Sequence, residues 1–188
     1  MQTKKLALAA IVVLLIVVAA LAIGRLPGSR KGLHAQLVVV NADIGIPGIS
    51  KMYEARLVNH ALWPIRISRC DFVDDTLTPG RMVAYAVQRW DNSTTRWTTV
   101  VEASASGFCK PYPLGIVKAN LTSGWLWPGQ SLSTGGEATA ARDGFNLGDK
   151  GRFIVFTGAA GDYSSAIATA EFVVDEHRQT DVPLRVRH

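Results

Sequence analysis

Residues 82–102 read MVAYAVQRWDNSTTRWTTVVE, and their pattern decides the fold. Two runs rich in Val, Tyr, Trp and Thr, residues 82–90 and 97–102, flank a polar connection at 91–96 (DNSTTR). β-Branched and aromatic side chains suit a pleated, half-buried surface, whereas Asp, Asn and Ser hydrogen-bond back onto the chain in turns. The pattern predicts a β-hairpin. Trp90 and Trp97 bracket the connection symmetrically and are expected to meet as a cross-strand pair.

Outward from this hairpin the chain repeats the same grammar. Residues 35–41 (AQLVVVN) form a β-branched run of strand length. Residues 52–59 (MYEARLVN) alternate, with Tyr53, Ala55 and Leu57 on one face and Glu54 and Arg56 on the other. That is the period of a half-buried antiparallel strand. Residues 65–69 (IRISR) alternate again, with Cys70 ending that strand or sitting near its end before the acidic stretch 71–75 (DFVDD). Residues 126–129 (LWPG) predict a turn and 130–134 a short strand, while 152–158 (RFIVFTG) read as a buried strand with 165–175 (SAIATAEFVVD) as its hairpin partner. Pro111 and Pro113 cannot donate to a ladder, so residues 104–124 are expected as a long loop or a broken edge strand. The one local helical signal is 137–143 (EATAARD), closed by Gly144; the tail at 182–187 alternates as an edge strand or stays irregular.

Many short strands with frequent turn signals and no helix–strand alternation predict an all-β, antiparallel sandwich. Asp149-x-Gly151-x-Phe153-x-Val155 resembles the Asp-x-Gly-x-Tyr-x-Cys pattern that enters the penultimate strand of immunoglobulin domains. The resemblance implies an immunoglobulin-like sandwich of about seven to nine strands with one short helical turn, over residues 34–188. Phe153 lacks the hydroxyl of the tyrosine corner and Val155 cannot form the inter-sheet bridge. The likeness therefore implies a fold and carries no function.

Ahead of this domain stand a basic start (residues 1–5) and an unbroken apolar run at 6–23 (LALAAIVVLLIVVAALAI). At 1.5 Å rise per residue that run spans roughly 27 Å, close to the ~30 Å hydrocarbon core of a bilayer. It reads as a retained single-span anchor or as a secretory signal, for which Ala20 and Ala22 offer a small-x-small cleavage site. Retention makes a single-pass membrane protein; cleavage makes a secreted one. Residues 24–33 (GRLPGSRKGL) read as a juxtamembrane linker. Lys4 and Lys5 on one flank nearly balance Arg25, Arg30 and Lys31 on the other, so charge alone does not orient the segment.

Cys70 and Cys109, the only two cysteines, are expected to form a disulfide, which places the domain outside the cytoplasm. Closing a loop of that length stabilises by roughly 4 kcal/mol in the chain-entropy model. All fifteen acidic residues lie beyond residue 33 together with fifteen of the twenty basic ones, so the domain is formally neutral. A nucleic-acid binder would need a basic footprint in the domain, and that class is set aside.

Catalytic signals are lacking. No Gly-x-Ser-x-Gly elbow occurs, and Cys70 with His60 would serve as nucleophile and base only if the thiol stayed reduced. The four histidines show no ligand spacing; Asp71, Asp74 and Asp75 form one carboxylate cluster that would suit Ca²⁺, a solvated acidic loop being the plainer account. Asn92 and Asn120 head glycosylation sequons. No cofactor is expected. Trp63, Trp90, Trp97, Trp125 and Trp127 divide between core filling and binding, and Trp90, Trp97, Trp125 and Trp127 are the candidate ligand contacts. The sequence thus points to a membrane-tethered extracytoplasmic module for a protein, peptide or glycan. The alternative is an envelope enzyme or enzyme inhibitor whose site forms only on folding.

Overall fold

A computed structural model describes residues 2–24, 26–41, 51–74, 79–102, 109, 116–135 and 145–175. Helix α1 (Gln2–Ile23) contains the stretch Lys5–Ile23, long and apolar enough to cross a membrane and with none of that window buried against the rest of the chain. A 3₁₀ turn (Pro27–Gly32) follows, with Pro near its start, where a missing N–H costs nothing.

The remainder is antiparallel β-structure in three sheets. Strands β1 (Leu33–Asn41), β2 (Lys51–Asn59) and β8 (Ser131–Ser133) make the first, in the order β1-β2-β8. Strands β3 (Ile65–Asp74), β4 (Pro79–Met82) and β7 (Ile116–Leu126) make the second, in the order β4-β3-β7. The third contains β5 (Tyr85–Asp91), β6 (Arg96–Glu102), β9 (Lys150–Phe156) and β10 (Ala166–Ala168) in the order β10-β9-β5-β6, with β11 (Phe172–Val173) also on β9. The arrangement is compatible with a β-sandwich: Tyr53, Ala55 and Leu57 of β2 share one buried cluster with Ile65, Ile67, Val87, Phe153 and Val155 of the other sheets.

The alternation expected in residues 52–59 and the burial expected in 152–158 are both present. Ala55 and Leu57 are buried, Arg56 is exposed, and Phe153 through Phe156 are all buried. The hairpin also forms, with Trp90 opposite Trp97 and a register shift between Val87 and Gln88.

Four local expectations are corrected. Residues 82–90 are not one strand: β4 ends at Met82, opposite Cys70, and β5 begins at Tyr85, opposite Val155. Between them Val83 donates its N–H to Ser133 at 3.0 Å and Ala84 accepts from Phe156 at 2.9 Å, so the chain crosses from one sheet to another through fully buried residues. β3 does not stop at Cys70 but continues to Asp74, because β4 and β7 pair it on both sides there. Residues 116–124 are not loop; they belong to β7, an edge strand paired with β3 from Ile116 to Leu126 with one register shift between Val73 and Asp74, and residues 104–115 other than Cys109 lie outside the described residues. Finally, residues 165–175 return along β9 as two short strands. At the break Thr169 replaces a ladder rung, its hydroxyl accepting from Phe153 N–H at 3.0 Å while its own N–H reaches Phe153 O at 3.0 Å. The helical signal at 137–143 and the tail at 182–187 lie outside the described residues.

Cys70 and Cys109 are joined as a disulfide, with Cα atoms 5.5 Å apart. Phe153 sits at the centre of the shared cluster, in ring contact with Tyr85 and Phe172. Truncating it leaves a cavity that close-packed neighbours fill only in part. Phe153→Ala is expected to destabilise the folded chain by about 3–5 kcal/mol, read from denaturant unfolding of the detergent-solubilised protein.

Candidate functional site

The third sheet turns one face to the core and the other outward. Ala84, Ala86, Ile154 and Phe156 on the outer face are buried under Ala160 and Ala166, and the Tyr163 ring meets Phe156 edge-on at 5.2 Å. Beyond that cover the same face carries half-buried side chains and the exposed Thr99. There the register sets Gln88 between Thr99 and Arg152, and Trp90 opposite Trp97.

Arg152 organises this open half. Its guanidinium carbon lies 4.3 Å from the Trp97 ring centroid, and its Nε donates to Gln88 Oε1 at 3.0 Å. An indole face attracts a cation through its quadrupole, so the two contacts hold the planar fork in one orientation. Burial draws the Arg152 guanidinium below its usual pKa, with the nearby Glu171 charge opposing. Trp90 and Trp97 meet edge-to-face with centroids 5.4 Å apart. Thr99 Oγ1 is 3.2 Å from the Tyr163 hydroxyl and 3.4 Å from Gln88 Nε2. The result is an aromatic and polar platform, half-buried at its indoles and exposed at Thr99 and Tyr163. Sequence reasoning finds the Trp90–Trp97 pair but misses Arg152, Gln88 and Tyr163. Only the β5–β9 pairing brings in Arg152, and a lone Arg carries no local signal.

The loop at the tip fixes this hairpin. Asp91 accepts from Ser93 N–H at 2.9 Å, Ser93 Oγ at 2.7 Å and Thr94 Oγ1 at 2.8 Å, and Thr95 takes φ +51° to close the turn. Asn92 is exposed here, and Asn120 is exposed on β7.

A second depression, of about 240 Å³, is lined by Ile67, Arg69, Arg81, Trp125, Gln130 and Leu132 among others. Its two arginines converge on Asp71, Arg69 Nε at 2.9 Å and Arg81 Nε at 3.5 Å, and Thr122 Oγ1 donates to the same carboxylate at 2.8 Å. Much of its charge is therefore balanced within the wall. Of the acidic cluster, Asp71 and Asp74 lie in β3, and Asp75 is outside the described residues. No group of three or more His, Cys, Asp or Glu suited to a metal occurs among the described residues. Cys70 is in the disulfide, so the Cys70–His60 chemistry has no free thiol; His60 instead meets the His34 ring at 5.2 Å.

The remaining tryptophans gather where α1 ends. Gly24 is buried, and a Cβ there would collide with the Pro64 carbonyl and crowd the Trp125 ring. Its carbonyl accepts from Arg66 N–H at 3.3 Å. Gly32 lies as close to Ala61, and its carbonyl accepts from His60 N–H at 2.9 Å. Gly24 and Gly32, near the two ends of the stretch expected as a linker, thus lie against the domain. Asn59, fully buried, knots this end together: its Nδ2 donates to Trp63 O at 2.9 Å and Leu126 O at 2.8 Å, and its Oδ1 accepts from Ala61 N–H at 2.9 Å. Comparison with protein-family models, curated proteins and solved structures returned no match.

Two outcomes test these local arrangements. Asn59→Ala would remove one buried and two part-buried hydrogen bonds to backbone groups and is expected to cost about 2–4 kcal/mol in denaturant unfolding, more than an exposed Asn→Ala at Asn92. The Asp91 carboxyl is held down from 3.8 to about 2, first by the Ser93 hydroxyl, then by the Thr94 hydroxyl and the Ser93 amide. A depressed carboxyl favours the folded hairpin above its unfolded value, and that contribution disappears as pH falls through the folded one. A carboxyl NMR titration of the solubilised protein should place the Asp91 midpoint near 2, with loosening of the 92–95 turn confined to pH below 3.8.

Proposed function

We propose that the chain is a single-span membrane protein whose disulfide-bonded, immunoglobulin-like sandwich stands outside the cytoplasm and binds a glycan on the open face of the β5–β6–β9 sheet. The apolar helix, the disulfide and the Asp149–x–Gly151–x–Phe153 pattern entering β9 support the tethered sandwich. The observation that carries the binding role is Arg152, fixed between the Trp97 ring and Gln88 on an open face.

Sugar rings present apolar C–H faces that stack on indoles and hydroxyls that need fixed planar hydrogen-bonding groups. Trp90 and Trp97 supply the first, while Arg152, Gln88, Thr99 and Tyr163 supply the second. Strand addition of a peptide would instead use backbone groups on the edge of β6, whereas these side chains rise from the sheet face. The Trp90–Trp97 rung also lies at the end of β9 away from the segment that follows the helix. Gly158, just past β9, stands beside the Arg30 guanidinium, whereas Gly151 pairs with Arg89 next to the Trp90–Trp97 rung. The seven rises from Gly158 back to Gly151 set the Trp90–Trp97 rung up to roughly 23 Å from Arg30, while Tyr163, next to Asp162, lies nearer the Arg30 side.

Full-length protein in lipid nanodiscs, applied to an immobilised oligosaccharide array, tests the reading. Retention of a subset of saccharides is expected, weakened at least about tenfold by Trp97→Ala and by Arg152→Ala, in line with loss of a binding hot spot. Absence of saccharide retention by the wild type, or equal retention by Trp97→Ala, would remove the glycan role.

A further inference from the structure

The end of the domain that receives α1 carries large apolar side chains that the core does not use. Leu62 is 90% exposed and Trp127 is 48% exposed; Leu26, three residues past the helix, is also exposed. Scattered singly over a surface, such residues need no explanation. Here they converge on one place. Residues 60–64 are pinned at both ends to the segment leaving the helix, through Ala61 against Gly32 and Pro64 against Gly24. The turn at 127–130 sits beside that loop: Gly129 donates to Asn59 O at 2.8 Å, and Asn59 in turn holds Trp63 O and Leu126 O.

From these contacts we propose that this pole, led by Leu62 and Trp127, is seated in the headgroup layer of the same bilayer that holds α1. The inference rests on the reading of α1 as a retained anchor. Leu62 is two residues from Pro64, and so within roughly 7 Å of chain from the place where Pro64 touches Gly24 at the helix end. The polar layer on each side of the hydrocarbon core is about 5–7 Å thick. A helix that ends at the hydrocarbon boundary therefore brings Leu62 to that layer, and the packed Gly24 and Gly32 contacts leave little slack to lift it away. Trp favours this layer because its ring is apolar and its N–H is polar. Lys31, exposed on the segment just past the helix, adds a cation for lipid phosphates. The bilayer is the occupant the geometry favours, since a protein partner on this pole would have to displace the headgroups around the helix.

The native cysteines are paired, so Leu62→Cys gives the full-length chain a single reactive thiol at an exposed position that does not endanger folding. Leu147→Cys, also exposed and three residues before β9 at its end remote from the helix, is the control. Each is labelled with a bimane probe and reconstituted into 3:1 phosphatidylcholine–phosphatidylglycerol vesicles with or without 5-doxyl-phosphatidylcholine. Emission from position 62 is expected to shift to the blue and to be quenched at least about twofold more than emission from 147, as for a group buried at the interface. Equal quenching at the two positions, in protein that resists carbonate extraction with its N-terminus intact, would overturn the seating and leave the anchor standing. Release by carbonate, or an N-terminus beginning after residue 22, would overturn the anchor and the seating together.

Discussion

The three sheets depend on one crossing of the chain, at Val83 and Ala84. Met82 belongs to the β3–β4 pairing, Val83 bonds to Ser133 beside β2, and Ala84 bonds to Phe156 of β9. Two residues thus tie all three sheets, and both are buried. A buried backbone must find its hydrogen bonds inside the protein, so the crossing is possible only where each sheet offers a free carbonyl or amide. Its side chains are small for the same reason: they lie where sheets meet, with no room between layers for a bulky group. The shared cluster around Phe153 follows, because a strand that leaves one sheet for another forces their inner faces together.

The second constraint is the join between helix and domain. A Gly-, Pro- and Arg-containing segment after an apolar helix ordinarily implies slack. Here Gly24 and Gly32 admit backbone and Ala61 at distances that a side chain would prevent, and Asn59 satisfies the carbonyls and amide that the close approach buries. Buried polar groups cost little when each has a partner, and Asn59 provides three such bonds from one side chain. The chain leaving the helix is therefore packed against the domain at Gly24 and Gly32 rather than held off by slack.

What was legible in the sequence follows from locality. The Tyr53–Ala55–Leu57 alternation, the apolar run into Phe153 and the symmetric Trp90–Trp97 bracket are all patterns within a few residues, and each appears in the fold. The division of residues 82–90 was not legible, because Val83 and Ala84 look like ordinary strand residues and only their partners reveal the crossing. β7 was hidden by its polar composition, since Asn120, Thr122 and Ser123 belong to an edge strand paired on one side. Arg152 was hidden by distance in sequence: 55 positions separate it from Trp97, and the β5–β9 register alone closes that gap. The tryptophans were visible as candidates, but four similar signals proved to be two different environments.

That separation of environments bears on the charge balance. A formally neutral domain gains no long-range steering toward an anionic polymer or nucleic acid. Recognition on the open face would then depend on short-range fit, stacking and oriented hydrogen bonds, which suits a platform whose only fixed cation is already held against an indole and an amide. Near the helix the basic residues Arg30 and Lys31 stand apart from the Trp90–Trp97 rung, Arg30 lying by Gly158 just past the other end of β9. The excess positive charge of the chain thus stays with residues 1–33, and the domain beyond them is left formally neutral, which on the proposed reading leaves discrimination to shape.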